Sequence, residues 1–311
     1  MAWRYVNPGY ACLLAVPTNA TETTVAELSN TGVGFYYTDS TTGIALASVD
    51  SSITDLWIKF EVYLPDNATN YTVTVFFPGN RGCGFRFRKY RDNDYDVYAI
   101  MGNSAYDSKN TSLPDEFGIM EGAVNSVWIH YKYGNLLEAK INHFYYSLNR
   151  SVYSYFSSEY PKILRLFSNS ANVVFSGVII SDEEISPKEK VVALPVNTTE
   201  TAMTAQEGGI YLADNVGQTL LQTIDASALI SQYGSDSKIT GIALVGNPAY
   251  RTGEQLSSLT AISKSGGVTT EHGTSNLSDA SDTVILQGFS VASDTTIADL
   301  QNMQLGWKAG E

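Results

Sequence analysis

The chain has 311 residues, with 19 Lys and Arg against 32 Asp and Glu, a net charge of −13. Hydrophobic residues make up 43%, which excludes a disordered chain, and no run nears the roughly 20 apolar residues that cross a bilayer as a helix. An acidic chain with only 16% charged residues lacks the basic footprint that grips phosphate backbones, so neither nucleic acid nor membrane insertion is expected.

The apolar run at Met1 to Val16 is short and broken by Asn7 and Pro8, so it does not read as a secretory signal. Trp57 to Leu64 alternates, with Ile58, Phe60, Val62 and Leu64 on one side and Lys59 and Glu61 on the other. This period of two predicts a strand with one buried face. Tyr71 to Phe77 repeats the pattern after the turn around Pro65-Asp66-Asn67. Gly84 to Arg91 and Tyr95 to Ile100 flank Asp92-Asn93-Asp94, and two β-rich runs around an Asx-rich turn predict a hairpin. Further strands are predicted at Val127–Tyr133, Leu136–Tyr146, Ile163–Phe167 and Val173–Ile180.

Ser181 to Lys190 is charged and shows no apolar periodicity, so 184–196 is expected to be a linker between domains at 1–183 and 197–311. Composition changes there. The first 190 residues hold 31 aromatics and a net charge of −5, the last 121 hold 5 and −8. Beyond the linker, strands are predicted at Gly209–Leu212, Ile239–Val245, Val284–Phe289 and Met303–Trp307. One short helix is predicted over Ala226–Tyr233, capped by Asp225 and stopped by Gly234 in the left-handed conformation. Ser263 to Ser281, with Ser-Gly-Gly and many Thr, reads as a loop. Many short alternating strands without a long amphipathic helix predict an all-β protein: an N-terminal two-sheet jelly-roll β-sandwich and a smaller, mainly-β C-terminal domain.

The Trp57–Leu64 strand, the Gly84–Tyr90 and Tyr95–Ile100 hairpin and the Trp128–Tyr133 strand together resemble the laminin-G-like, concanavalin A-like lectin/glucanase superfamily over roughly residues 30–182. Val173 to Asp182, with Phe175-Ser176-Gly177, looks like the family's closing strands. The resemblance implies a jelly roll of a kind often used to bind glycans or proteins. It also implies an outward-displayed hairpin at Leu137–His143, although Glu138 to His143 lacks the glycine expected there. The Met1–Gly9 start, Asp225–Ile230, Gly246–Gly253 and the Leu305–Glu311 end look like prophage-encoded virion proteins. That likeness implies synthesis in the cytoplasm without a signal peptide and arrival in the virion, or outside the cell after lysis. The partners it implies are a surface glycan or protein, further copies of the chain, or other virion proteins.

Catalytic spacing is missing. Glycosidases of this sandwich carry Glu-x-Asp-x-x-Glu on one strand, bringing two carboxyls about 5 Å apart for a retaining mechanism, and no such spacing occurs. Asp182-Glu183-Glu184 and Asp115-Glu116 read as solvated surface. His130, His143 and His272 fit no metal spacing, and no Gly-x-Ser-x-Gly elbow is present. A non-enzyme is therefore expected, with a purely structural virion protein and a polysaccharide-degrading glycosidase as the alternatives. The candidate ligand residues are Arg86, Arg88 and Tyr90, which alternate on one strand as an anionic-glycan patch with a stacking ring, together with the loop aromatic Tyr106. The alternative for the arginines is pairing across the hairpin with Asp92, Asp94 and Asp96. Those three aspartates, at alternate positions, are the candidate calcium ligands, although no EF-hand glycine or glutamate follows; no other cofactor is expected. Cys12 and Cys83 permit one disulfide.

Overall fold

The structure is a computed structural model that describes residues 4–7, 20–28, 33–37, 44–48, 55–66, 72–76, 84–91, 94–101, 104–107, 119–132, 136–148, 163–168, 173–192, 194, 196–246, 249–252, 255–280 and 285–311. The chain divides into two compact units, Trp3–Val192 and Ala193–Glu311.

The first unit is all-β. Its strands in chain order are β1 (Arg4–Asn7), β2 (Ala20–Thr24), β3 (Val33–Tyr37), β4 (Ile44–Ser48), β5 (Asp55–Leu64), β6 (Thr72–Phe76), β7 (Gly84–Arg91), β8 (Asp94–Met101), β9 (Ser104–Asp107), β10 (Ala123–Lys132), β11 (Leu136–Ile141), β12 (Phe144–Leu148), β13 (Ile163–Ser168) and β14 (Val174–Ser181). Among the described residues they form two antiparallel sheets. One has the order β12-β11-β10-β5-β14-β3-β2, with β1 also on β14; the other runs β4-β13-β6-β7-β8-β9. The chain changes sheet between β3 and β4, again into β5, and again into β6, β10, β13 and β14. Such repeated crossing is the connectivity of a two-sheet sandwich rather than a single meander.

The alternation in β5 gives the expected core: Leu56, Ile58, Phe60, Val62 and Leu64 are all fully buried, beside Val127 and Ile129 of β10 and Phe175 of β14. The opposite face departs from expectation, because Lys59 and Glu61 are buried too, at 2% and 6% exposure. The reason lies in the segment expected to be a solvated linker. Ile185 in that segment is fully buried, and its carbonyl accepts a 2.7 Å hydrogen bond from Trp128 Nε1 on the neighbouring row of the outer face. The stretch 182–192 is thus a strap on the sheet, not a solvated tether, with only Glu183, Glu184, Ser186, Lys188 and Lys190 exposed. Burial pushes the Lys59 ammonium below its ordinary value, partly opposed by Glu61 and Glu189.

Two local features in β11–β14 rest on backbone conformation, and the first departs from the expected strand. Leu136–Tyr146 is not one strand but a hairpin, turning at Asn142-His143. Asn142 takes φ +53°, so an Asx side chain occupies the left-handed position where the family resemblance implied glycine. Phe175-Ser176-Gly177 lies inside β14. Gly177 has φ +58° and sits where the β5 register shifts between Ser176 and Ile179, forming a bulge.

The second unit contains β15 (Val196–Thr201), β16 (Thr204–Ala205), β17 (Tyr211–Leu212), β18 (Thr219–Ile224), α1 (Ser227–Tyr233), β19 (Gly241–Gly246), β20 (Ser258–Ser265), β21 (Val268–Asn276), β22 (Ile285–Ser290), α2 (Ile297–Gln301) and β23 (Gln304–Gly310). A five-stranded antiparallel sheet, β15-β18-β23-β20-β21, accompanies the pairs β19-β22 and β16-β17. Ala249, Ala261, Ile285 and Trp307 form a buried cluster.

The expected loop at Ser263–Ser281 is instead largely the β20–β21 hairpin. Its two-residue turn, Gly266-Gly267, has φ of +57° and +82°, the conformation that suits the strand twist, and the Thr-rich flanks favour extended backbone. The single predicted helix appears as α1, where Asp225 accepts from the Ser227 backbone N–H and Gly234 leaves the helix at φ +87°, ψ +151°, outside the left-handed helical region. A second helix, α2, was not foreseen. Its Thr296 and Asp299 form a capping box, but five residues are too few to show periodicity.

Candidate functional site

The outer face of the eight-stranded sheet is unequally covered. The strap bonds to Trp128, opposite Lys59, while the next row, Trp57–His130–Glu138, and its neighbours carry polar and aromatic side chains that converge only because the register brings four strands together. His130 on β10 lies opposite Trp57 on β5 and Glu138 on β11. The Trp57 and His130 rings stack at 4.3 Å with planes 6° apart. His130 Nε2 is 2.7 Å from Asp55 Oδ1, and Nδ1 is 3.1 Å from Glu138 Oε2.

The network continues outward on both sides. Lys132 Nζ donates to Asp55 Oδ2 at 2.9 Å, and the Tyr145 hydroxyl of β12 donates to Glu138 Oε1. Tyr145 is 59% exposed; Asp55 and Glu138 are partly covered and His130 more so. Burial works upward on the Asp55 carboxyl, but hydrogen bonds and charge from Lys132 and His130 outweigh it and hold the group below its ordinary value. Burial likewise raises Glu138, and the hydrogen bonds from Tyr145 and His130 outweigh it to the same effect. Tyr145 is pushed up, first by its bond to Glu138.

The edge therefore offers an exposed phenol, two ionised acceptors and an indole-imidazole stack within one surface. That is the equipment for holding a hydroxyl-rich ligand: apolar ring area plus fixed acceptors. A separate polar lock lies toward the other end of β10, where Asn125, opposite Val62, is fully buried. Its side chain accepts from the Met120 N–H and donates to the Met120 carbonyl, and it accepts from Asn142 Nδ2 at the β11–β12 turn.

The residues singled out from sequence lie elsewhere. Arg86, Arg88 and Tyr90 are on β7; Arg86 registers opposite Tyr98, and Arg88 opposite Asp96. Asp94 registers opposite Arg91, and Asp92 lies outside the described residues, as do Cys12, Cys83, Asp115 and Glu116. Tyr106 on β9 registers with Ala99, which in turn registers with Phe85 of β7. Among the described residues no cluster of three or more His, Cys, Asp or Glu could hold a metal ion.

His143 is exposed in the β11–β12 turn. His272 stacks on Phe289 at 3.6 Å and lies 2.8 Å from Ser263 Oγ, with burial pushing the imidazole below its ordinary value. The Ser263–His272 contact is a cross-strand bond within the five-stranded sheet, and the Phe289 ring of β22 covers the imidazole.

The described architecture is that of an all-β protein of antiparallel sheets with a polar-aromatic edge. By sequence the chain matches no protein-family model and no curated protein. By structure it is similar to sheep galectin-11 in complex with glycerol, at 12% identity over 44% of this chain and 93% of the other, with a TM-score of 0.29. The CBM2 module of the evolved Dit of Lactobacillus casei BL23 phage J-1 matches at 11% identity over 60% and 98%, with a TM-score of 0.37. The receptor-binding domain of botulinum neurotoxin D matches at 9% identity over 71% and 68%, with a TM-score of 0.32. With scores this low, none of the three likenesses decides fold or function.

Proposed function

We propose that the protein is a non-enzymatic binding protein of a phage or prophage particle, whose first unit recognises a surface glycan. The observation that carries the binding reading is the partly exposed polar-aromatic surface formed by Tyr145, Glu138, His130, Trp57 and Asp55. The particle context rests on the virion-like segments Met1–Gly9, Gly246–Gly253 and Leu305–Glu311. On this reading the protein acts in the virion, or outside the cell after lysis. The β7–β8 hairpin, with Arg86, Arg88 and Tyr90, is a second patch, suited to an anionic glycan; Tyr106 and a calcium ion at Asp92, Asp94 and Asp96 belong to the same proposal. A protein receptor is the alternative ligand.

The test is a glycan array probed with the full chain, followed by calorimetry on any positive. Binding of at least one glycan class supports the reading, and no binding at millimolar ligand overturns it. Release of reducing sugar from a bound polysaccharide would replace it with a glycosidase. Exposed apolar residues on the second unit, Ile210, Leu212, Val216 and Val268, favour assembly as a role for that unit. Mass measurement in solution checks this: a closed oligomer supports self-association, and a monomer at all concentrations contradicts it.

A further inference from the structure

His130 has a carboxylate at each ring nitrogen, from two different strands, at 2.7 Å and 3.1 Å. A neutral imidazole carries one N–H, so it satisfies one carboxylate and turns a lone pair on the other; only the imidazolium donates to both. The groups facing it among the described residues are Asp55 and Trp57 from β5, Trp128 and Lys132 from β10, Glu138 from β11 and Tyr145 from β12.

The two carboxylates are not equivalent. Asp55 keeps Lys132 as a second donor and has the shorter contact to the ring. Glu138 has the longer ring contact, and its remaining partner is the exposed Tyr145 phenol.

We infer that His130 is a proton-operated clamp: as the imidazolium it ties β5 to β11, and on losing one ring proton it keeps Asp55 and releases Glu138. The released carboxylate becomes a free acceptor on the outer edge, so affinity for a hydroxyl-bearing ligand rises with pH. The affinity consequence rests on reading this edge as a ligand surface, whereas the proton-linked release does not.

The test uses the full chain labelled with ¹³C and ¹⁵N and followed by NMR across the range where histidines titrate, from about pH 5 to 8. The expected result is protonation of both His130 ring nitrogens at the acid end. The Glu138 side-chain carboxyl resonance then shifts along the His130 transition, and Asp55 shifts less. In Glu138→Gln the His130 transition moves to lower pH, because one anion that favours the imidazolium is gone. In His130→Gln the Glu138 shift over that range is lost.

A single protonated ring nitrogen at the acid end, or a Glu138 resonance unmoved through the His130 transition, overturns the clamp. Should His130→Gln fail to fold, the direction of the shift in Glu138→Gln decides alone. A clamp that behaves as described in a protein binding no glycan leaves the switch standing and removes only the ligand reading.

Discussion

Asn125 shows how much one amide can hold. Fully buried, it satisfies both the N–H and the carbonyl of Met120 and accepts from Asn142 across the sheet. Removing it takes away the partner of the part-buried Met120 N–H and carbonyl, each costing up to roughly 1–3 kcal/mol. Asn125→Ala is therefore expected to lower stability by about 2–4 kcal/mol in urea unfolding, and a loss below about 0.5 kcal/mol would contradict this account of the lock. Asp55 and Glu138 act at the same scale through pH. Both sit below their ordinary values in the fold, so their contribution is fully present above the unfolded carboxylate range. It is lost as pH falls through their folded values. Asp55→Asn should flatten the acid limb of the stability profile. An acid limb as steep as the wild type's would show that Asp55 gains nothing from Lys132 and His130.

Among the elements, β5 was legible on one face only. Its alternation marked Ile58, Phe60, Val62 and Leu64 as core because period two is a property of the strand itself. Nothing in the strand says that Lys59 and Glu61 are covered, since the cover is a strap more than a hundred residues later in the chain. The strap looked like a linker because its charges are exposed and its anchor is a single apolar residue, Ile185. Ile185→Ala should cost about 2–4 kcal/mol by cavity formation, with slowed-exchange protection of the Trp128 indole N–H lost in hydrogen exchange. Unchanged stability together with a protected indole would show that the strap is held elsewhere. The β20–β21 hairpin was missed for a different reason. Ser, Thr and Gly are shared by loops and hairpins, and only the geometry of Gly266-Gly267 separates the two. At Asn142 the side chain replaces the glycine that the family resemblance called for.

For the whole molecule, strand alternation carries the all-β character, and composition the aromatic-rich first part. It did not foretell the edge site, because Asp55, Trp57, His130, Glu138 and Tyr145 sit on four strands and share a surface only through pairing register. Each was unremarkable in its own segment, and His130 in particular read as a histidine without a ligand spacing. Sequence reasoning instead favoured the basic run on β7, where like residues are adjacent in the chain and need no register to be seen. The most direct measurement is calorimetric titration of a glycan selected on the array into the wild-type chain, Tyr145→Ala and Glu138→Gln. Loss of a stacking ring or of a charged acceptor should weaken binding about tenfold or more in each variant. Affinity within about twofold of wild type in both variants would place the ligand elsewhere and contradict the assignment of this edge.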